Sequence, residues 1–292
     1  MKKSLKILIV SAASFLVVVL ILFCVFIMRA PVLIVTEQAF ADLYGAGRIR
    51  SESLYTSVAL FRLVKIVVVS NDAGDDIVPF AVAEVSSRPY CVLFPRRFLH
   101  SAALYHEQNP NIPIVLLEGR YSQNYTENPN FLTYRTDIDS DFYRAGLIAA
   151  SLSEGQNDRI AVFTEPGIQS AASDAFLRAL NDQGKSNETM FFTSFSQIPQ
   201  LLDFSCVVLA GAGIEFLEQN TNIPVILFTW VPPSMVPEGI VAVVDDSPLA
   251  QALRAAGLAG DGVRNALIPS NFHVLDRKKI DKDTLQKIKN TW

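Results

Sequence analysis

Short uninterrupted apolar runs recur along the chain: VLIV from Val32, KIVVV from Lys65, CVLF from Cys91, IPIVLL from Ile112, RIAVF from Arg159, SCVVLA from Ser205, IPVILF from Ile223 and IVAVV from Ile240. Runs of this length without polar alternation suit strands buried on both faces. Between them lie stretches with helical spacing. Asp42 to Leu63 places Leu54, Val58, Phe61 and Arg62 on one helical face after a Gly45-Ala46-Gly47 break. DDIVPFAVAEVSS and RRFLHSAALYHEQNP predict two more helices, the second stopped at Asn109-Pro110, and QSAASDAFLRALNDQG predicts another, ending at Gly184. Strand and helix in alternation imply right-handed crossovers and parallel sheets. The chain is predicted to be α/β.

One unit is stated twice. From Asn111 the chain reads NIPIVLLEGR, a polar loop, then FLTYRTDIDSDFYRAGLIAASL. From Asn222 it reads NIPVILFTWV, a proline-rich loop, then GIVAVVDDSPLAQALRAAGL. Two copies predict two similar lobes of parallel sheet flanked by helices, with a ligand cleft between them. A last pair of short strands, ALIP and FHVL, predicts a third connection before a charged amphipathic tail. The predicted organisation is a segment 1–30, a first lobe of residues 31–136 with a return at 265–292, and a second lobe of residues 137–264. Crossings fall near 134–141, 241–248 and 264–276. Three connections make a hinge that permits rotation and limits shear.

Ahead of the lobes, Lys2, Lys3 and Lys6 precede 22 uncharged residues from Ile7 to Met28, closed by Arg29. About 20 apolar residues suffice to cross a bilayer as a helix, and the lysines favour a cytoplasmic start. The segment is therefore expected to be a transmembrane anchor with the main body extracytoplasmic. Lipidation at Cys24 and simple cleavage stay open as alternatives, although Phe23 before Cys24 and Met28 before Ala30 are poor fits to either processing site.

Composition trims the possibilities. The net charge is −4, with 50% hydrophobic residues. Neither global disorder nor a nucleic-acid partner is expected, since the latter needs a concentrated basic face. Cys91 and Cys206 lie in strand runs and read as buried apolar residues in preference to a disulfide. His100, His106 and His273 lack clustered partners, so no metal and no cofactor are expected. The glycines at 45–47 and 211–213 are too few for a dinucleotide fingerprint and read as tight turns.

In parallel sheets, ligands sit beyond the carboxyl ends of the strands. That rule selects Phe40, Asn71, Asp72, Phe94 and Glu118 in the first lobe, Glu165, Thr229 and Trp230 in the second, and Asp141 and Asp246 at the crossings. Phe40, Phe94 and Trp230 are expected as apolar walls. Glu118, Asp141 and Asp246 are expected as polar contacts or hinge acids, with helix capping a compatible role for the last two.

The order of elements resembles the type 1 periplasmic binding protein fold, which includes sugar-binding and basic-membrane-protein-like solute receptors and the ligand domains of lactose-repressor-like regulators. The resemblance runs from Pro31 to about Lys289. It is carried by IPIVLLE at 112–118, DFYRAG at 141–146, RIAVFTEP through AFLRALNDQG, and DDSPLAQAL at 245–253. It implies ligand contact at Asp246 and a helix start at Asp141. The sequence departs from the sugar binders of this fold where Ala172 replaces an Arg, Thr229 an Asp, and Ala210-Gly211 an Asn-Asp pair. Losing these groups removes charge-assisted bonds to sugar hydroxyls.

The expected function is a membrane-tethered, extracytoplasmic (periplasmic) solute-binding protein that closes on a small polar molecule such as a sugar or nucleoside, feeding an ABC permease. A ligand-sensing or structural envelope module of the same fold is the alternative. No nucleophile elbow or catalytic constellation is present in the sequence, so an enzyme is not expected.

Overall fold

The computed structural model describes residues 2–120, 130–153, 158–185, 188–197, 204–219, 222–229 and 237–290, with side chains from Ser14 onward. Helix α1 spans Lys2–Met28. Its described side chains, among them Phe15, Leu16, Leu20 and Phe23, are exposed. Among the described residues no helix is long and apolar enough to cross a membrane. The first seven residues of the expected span, those before Ser14, lie outside the described side chains.

The first sheet comprises β1 (Val32–Glu37), β2 (Val64–Val69), β3 (Cys91–Pro95), β4 (Ile114–Leu117), β5 (Leu132–Thr136) and β11 (Asn265–Ile268). Their order is β11-β5-β4-β3-β1-β2, and every pairing is parallel. The second sheet comprises β6 (Arg159–Thr164), β7 (Glu188–Phe192), β8 (Phe204–Ala210), β9 (Val225–Phe228), β10 (Ile240–Asp245) and β12 (Asn271–Val274). Its order, β12-β10-β9-β8-β6-β7, is the same pattern with one change: β12 runs antiparallel to β10. The repeated Ile-Pro strands are β4 and β9, and they hold the same place in the two sheets.

Helices α2 (Gln38–Tyr44), α3 (Ala46–Leu60), α4 (Ile77–Val85) and α5 (Leu99–Gln108) flank the first sheet, and α6 (Ile138–Leu152), α7 (Gln169–Asp182) and α9 (Lys282–Asn290) the second. Helix α8 (Pro248–Gly260) follows a second-sheet strand yet packs Leu249, Ala252, Ala255 and Ala256 into the core of the first sheet. Helix α6 does the reverse, leaving β5 to place Phe142, Leu147 and Ile148 under the second sheet. Each repeat thus lends its helix to the other lobe. This differs from the expected segment assignment. Residues 248–260 belong with the first lobe, and Ile280 and Ile288 complete the core of the second. The reason lies in the crossings: a helix that begins at the strand's carboxyl end on the hinge is already past its own sheet.

Local signals set these helix starts. Asp137 accepts from the Ser140 backbone N–H at 3.1 Å, and Ser247 accepts from Ala250 at 3.2 Å with Pro248 opening α8. Helices α6 and α7 pack closely because Gly146 has no side chain. A Cβ there would meet Ala179 Cβ and the Phe176 carbonyl oxygen, each at 2.7 Å. Since one obstacle is backbone, Gly146→Val is expected to force the helices apart and lower stability by about 1–3 kcal/mol. A urea titration of parent and variant checks this, and equal midpoints would refute it.

Helix α3 differs from its expected packing. Leu54 is 64% exposed and Val58 66% exposed, while Thr56 and Ser57 face inward. The Ser57 hydroxyl donates to Ser53 O at 2.6 Å and accepts from Val64 N at 2.8 Å, so the polar face is satisfied by the turn into β2. Cys91 and Cys206 are fully buried in different sheets, and burial pushes each thiol up to about 12.

Candidate functional site

The carboxyl ends of β1, β2, β3 and β4 share one edge of the first sheet, and those of β6, β8, β9 and β10 one edge of the second. The chain passes between them at Asp137, at Asp246-Ser247 and at Pro269-Ser270. These edges and crossings frame the candidate cleft.

On the first-lobe side the acids are paired with arginines that directly follow β3. Glu118 is 8% exposed and bonds Arg96, and Glu37 bonds Arg97. Arg97 also donates to Asn71 O at 3.5 Å, and Asn71 Oδ1 accepts from the Ala39 N–H at 3.0 Å. Asp72 is exposed in the turn after β2. Phe40 stacks on Tyr44 with ring centroids 5.1 Å apart.

Arg120 ties this wall to the rest of the cleft. Its Nε donates to Asp246 Oδ2 at 2.8 Å, its Nη2 to the Phe228 carbonyl at 3.4 Å, and its guanidinium lies 5.6 Å from the Phe228 ring. A group from the end of β4 therefore reaches the second crossing and the end of β9. On the second-lobe side Thr229 is half-buried beyond β9. Glu165 lies against Gly211, which adopts φ 86°. A side chain at 211 would be strained and would displace the Glu165 carboxylate.

Two expected site residues sit elsewhere. Phe94 is 0% exposed, its ring packed 6.1 Å from that of Tyr105 in the core between the first sheet, α4 and α5. Side chains alternate along β3, and position 94 falls on the face turned toward those helices. It is not a cleft wall. Asp141 is 1% exposed and is also withdrawn from any ligand. It bonds fully buried Arg144, the Ser270 hydroxyl, and the Ser270 N–H at 2.9 Å, while Arg144 donates to Ser270 O at 2.9 Å. Of the roles expected for it, Asp141 has that of hinge acid, locking α6 to the third crossing; the helix caps expected at Asp141 and Asp246 are Asp137 and Ser247 instead. Trp230 lies outside the described residues.

Burial pushes Asp141 up to about 6, against the lowering effect of Arg144 and Ser270. A carboxyl raised in the folded state binds its proton more tightly there than in the unfolded chain. The resulting stabilisation is complete below the ordinary value of 3.8 and is lost as pH rises through about 6. Urea midpoints measured across this window are expected to fall for the parent relative to Asp141→Asn. Parallel profiles would overturn this assignment.

A second cluster joins the lobes. Asp245, fully buried at the end of β10, accepts from the Tyr44 hydroxyl at 3.1 Å and from Arg48 at 2.9 Å. Its Oδ1 accepts from the Ser247 N–H at 3.0 Å. His273 on β12 approaches Asp245 at 3.9 Å and Arg48 at 3.4 Å. Burial lowers the imidazole's affinity for a proton, with Arg48 acting in the same direction and Asp245 against it. Burial is also the main reason the Tyr44 phenol is raised.

Sequence reasoning missed Arg96, Arg97, Arg120, Tyr44, Arg48 and Asp245. A signal existed for three of them: Arg96 and Arg97 directly follow a strand ending in Pro95, and Arg120 comes two residues after Glu118. Among the described residues no group of three or more His, Cys, Asp or Glu could hold a metal ion.

No family model matches the sequence, and no curated protein matches it closely enough to count as a relative. Solved structures do match. A transcriptional activator of the comK gene from Bacillus halodurans aligns over 90% of this chain and 95% of its own, with a TM-score of 0.58 at 14% identity. An ABC transporter solute-binding protein from Agrobacterium vitis, bound with α-D-tagatopyranose, covers 89% and 99% with a TM-score of 0.50 at 13% identity. These alignments run over nearly the whole of both lobes: the chain has the type 1 periplasmic binding protein fold.

Proposed function

We propose that this protein is an extracytoplasmic solute-binding protein, tethered to the cytoplasmic membrane by α1, whose lobes close on a small polar molecule for delivery to an ABC-type importer. The observation that carries the reading is the bridge from Arg120 to Asp246 and Phe228, which spans the edges of both sheets beside the hinge. A ligand entering there meets guanidinium groups of Arg96, Arg97 and Arg120, each already oriented by a carboxylate. These arginines can supply from the first lobe the charge-assisted bonds that Ala172, buried in the second, does not. The Agrobacterium neighbour carries a monosaccharide, which makes D-tagatose the first ligand to try. The tether rests on the 22 uncharged residues of Ile7 to Met28 and the lysines before them.

Small-angle scattering of the full-length chain in detergent tests the reading, with D-tagatose, other monosaccharides and nucleosides as probes. At least one is expected to compact the protein saturably, and Arg120→Ala is expected to weaken that response by about tenfold or more. Failure of the whole panel to bind would sink it.

One observation favours a sensing role as a second reading. Only Arg29, Ala30 and Pro31 separate α1 from β1, and that link is pinned. Arg62 donates to Ala30 O at 3.3 Å, Arg29 donates to Phe61 O at 3.5 Å, and the Phe26 and Phe61 rings lie 5.6 Å apart. A tether this short holds the first lobe near the bilayer and leaves the second lobe free to report closure. Ligand uptake by cells that is indifferent to loss of the chain would select this reading over transport.

A further inference from the structure

Beside the crossing at Pro269, a cavity of about 630 Å³ opens on the flank of the hinge. Glu52 and Tyr55 of α3 line one side, Leu253 and Arg254 of α8 another, and Phe272 and His273 of β12 the end. Its volume falls in the range of small-molecule sites, about 300–1,000 Å³. The lining is neither a plain apolar hole nor a field of one sign. A carboxylate and a guanidinium come from two different helices, alongside aromatic and aliphatic surface. A purely anionic ligand would face Glu52, and a purely cationic one Arg254. A zwitterion satisfies both, its carboxylate on the planar guanidinium and its ammonium on Glu52. Tyr55, Leu253 and Phe272 are suited to an apolar side chain.

We propose that this hinge-flank cavity is a second ligand site, for a zwitterionic amino acid or dipeptide with an apolar side chain. Its position gives the site a mechanical consequence. The occupant touches the first lobe through α3 and α8 and the second through β12. His273, at the end of the cavity, also abuts the Asp245 carboxylate that receives Tyr44 and Arg48 from the first lobe. The shape of the cavity therefore depends on the angle between the lobes. Occupancy here and closure of the cleft are linked, and the linkage is reciprocal.

Isothermal titration of the full-length chain in detergent tests this with L-phenylalanine and L-leucyl-L-phenylalanine as probes. Saturable binding of at least one is expected. N-acetyl-L-phenylalanine amide, which lacks both charges, is expected to bind at least tenfold more weakly, as are the free probes to Arg254→Met and to Glu52→Gln. Binding to Arg178→Gln, altered only in an exposed ion pair between α6 and α7, is expected to match the parent. Should Arg254→Met fail to fold by circular dichroism, Glu52→Gln and the capped probe still decide. No heat at millimolar concentration, equal binding of the capped probe, or an undiminished response in Glu52→Gln would each overturn the site.

Discussion

Asp141→Ala is expected to lower the stability of the protein by about 3–5 kcal/mol, the range found when one member of a buried ion pair is removed and the other left uncompensated. Arg144 would remain at 0% exposure, and the Ser270 N–H and hydroxyl would lose their acceptor. The contrast lies in the double replacement. Asp141→Leu with Arg144→Met removes both charges, and its cost is expected to be well below that of Asp141→Ala alone, because a buried pair exchanged for apolar side chains is often near neutral. Urea denaturation of the parent and both variants provides the comparison. A double replacement as damaging as the single one would show that the pair contributes by more than avoiding an orphaned charge.

Phe94→Ala carries the second large effect, a loss of about 3–5 kcal/mol from emptying a packed aromatic site. Phe94 is fully buried among side chains of the first sheet and α5, with Tyr105 against its ring. The measurement that separates core from cleft pairs urea denaturation with ligand titration. Once the folded fraction is accounted for, affinity is expected to stay within about twofold of the parent, which is about 0.4 kcal/mol. A stable variant with lost affinity would return Phe94 to the cleft.

These two residues mark the boundary of what the sequence disclosed. Buried parallel strands announce themselves as unbroken apolar runs, and the repeated Ile-Pro strands mark β4 and β9, which hold equivalent positions in the two sheets. The same lack of alternation hides which face each side chain takes. Phe94 could be named as a strand-end residue but not assigned to core or cleft. Asp141 was visible as an acid opening a helix, and its partner Ser270 lies 129 positions away across the third crossing. No periodicity records such a contact. The arginines at 96, 97 and 120 read as ordinary polar residues after strands, since a guanidinium reaches far enough that its target depends on the fold. On α3 the helical spacing of Leu54 and Val58 marked one face, yet that face is exposed and the Ser57 hydroxyl is buried instead. A satisfied polar group near a strand start outweighed the apolar stripe.

The exchange of α6 and α8 between the sheets bears on how the chain is made. During synthesis the strands β1 to β5 emerge first, but the core they form stays open until α8 supplies Leu249, Ala252 and Ala255. The other core waits longer, for Ile280 and Ile288 near the end of the chain. Neither half can close as an early, independent unit, unlike domains that fold in turn as they emerge. A nascent chain stalled before residue 248 would therefore present both sheets with apolar faces uncovered, a natural substrate for holding chaperones on either side of a membrane.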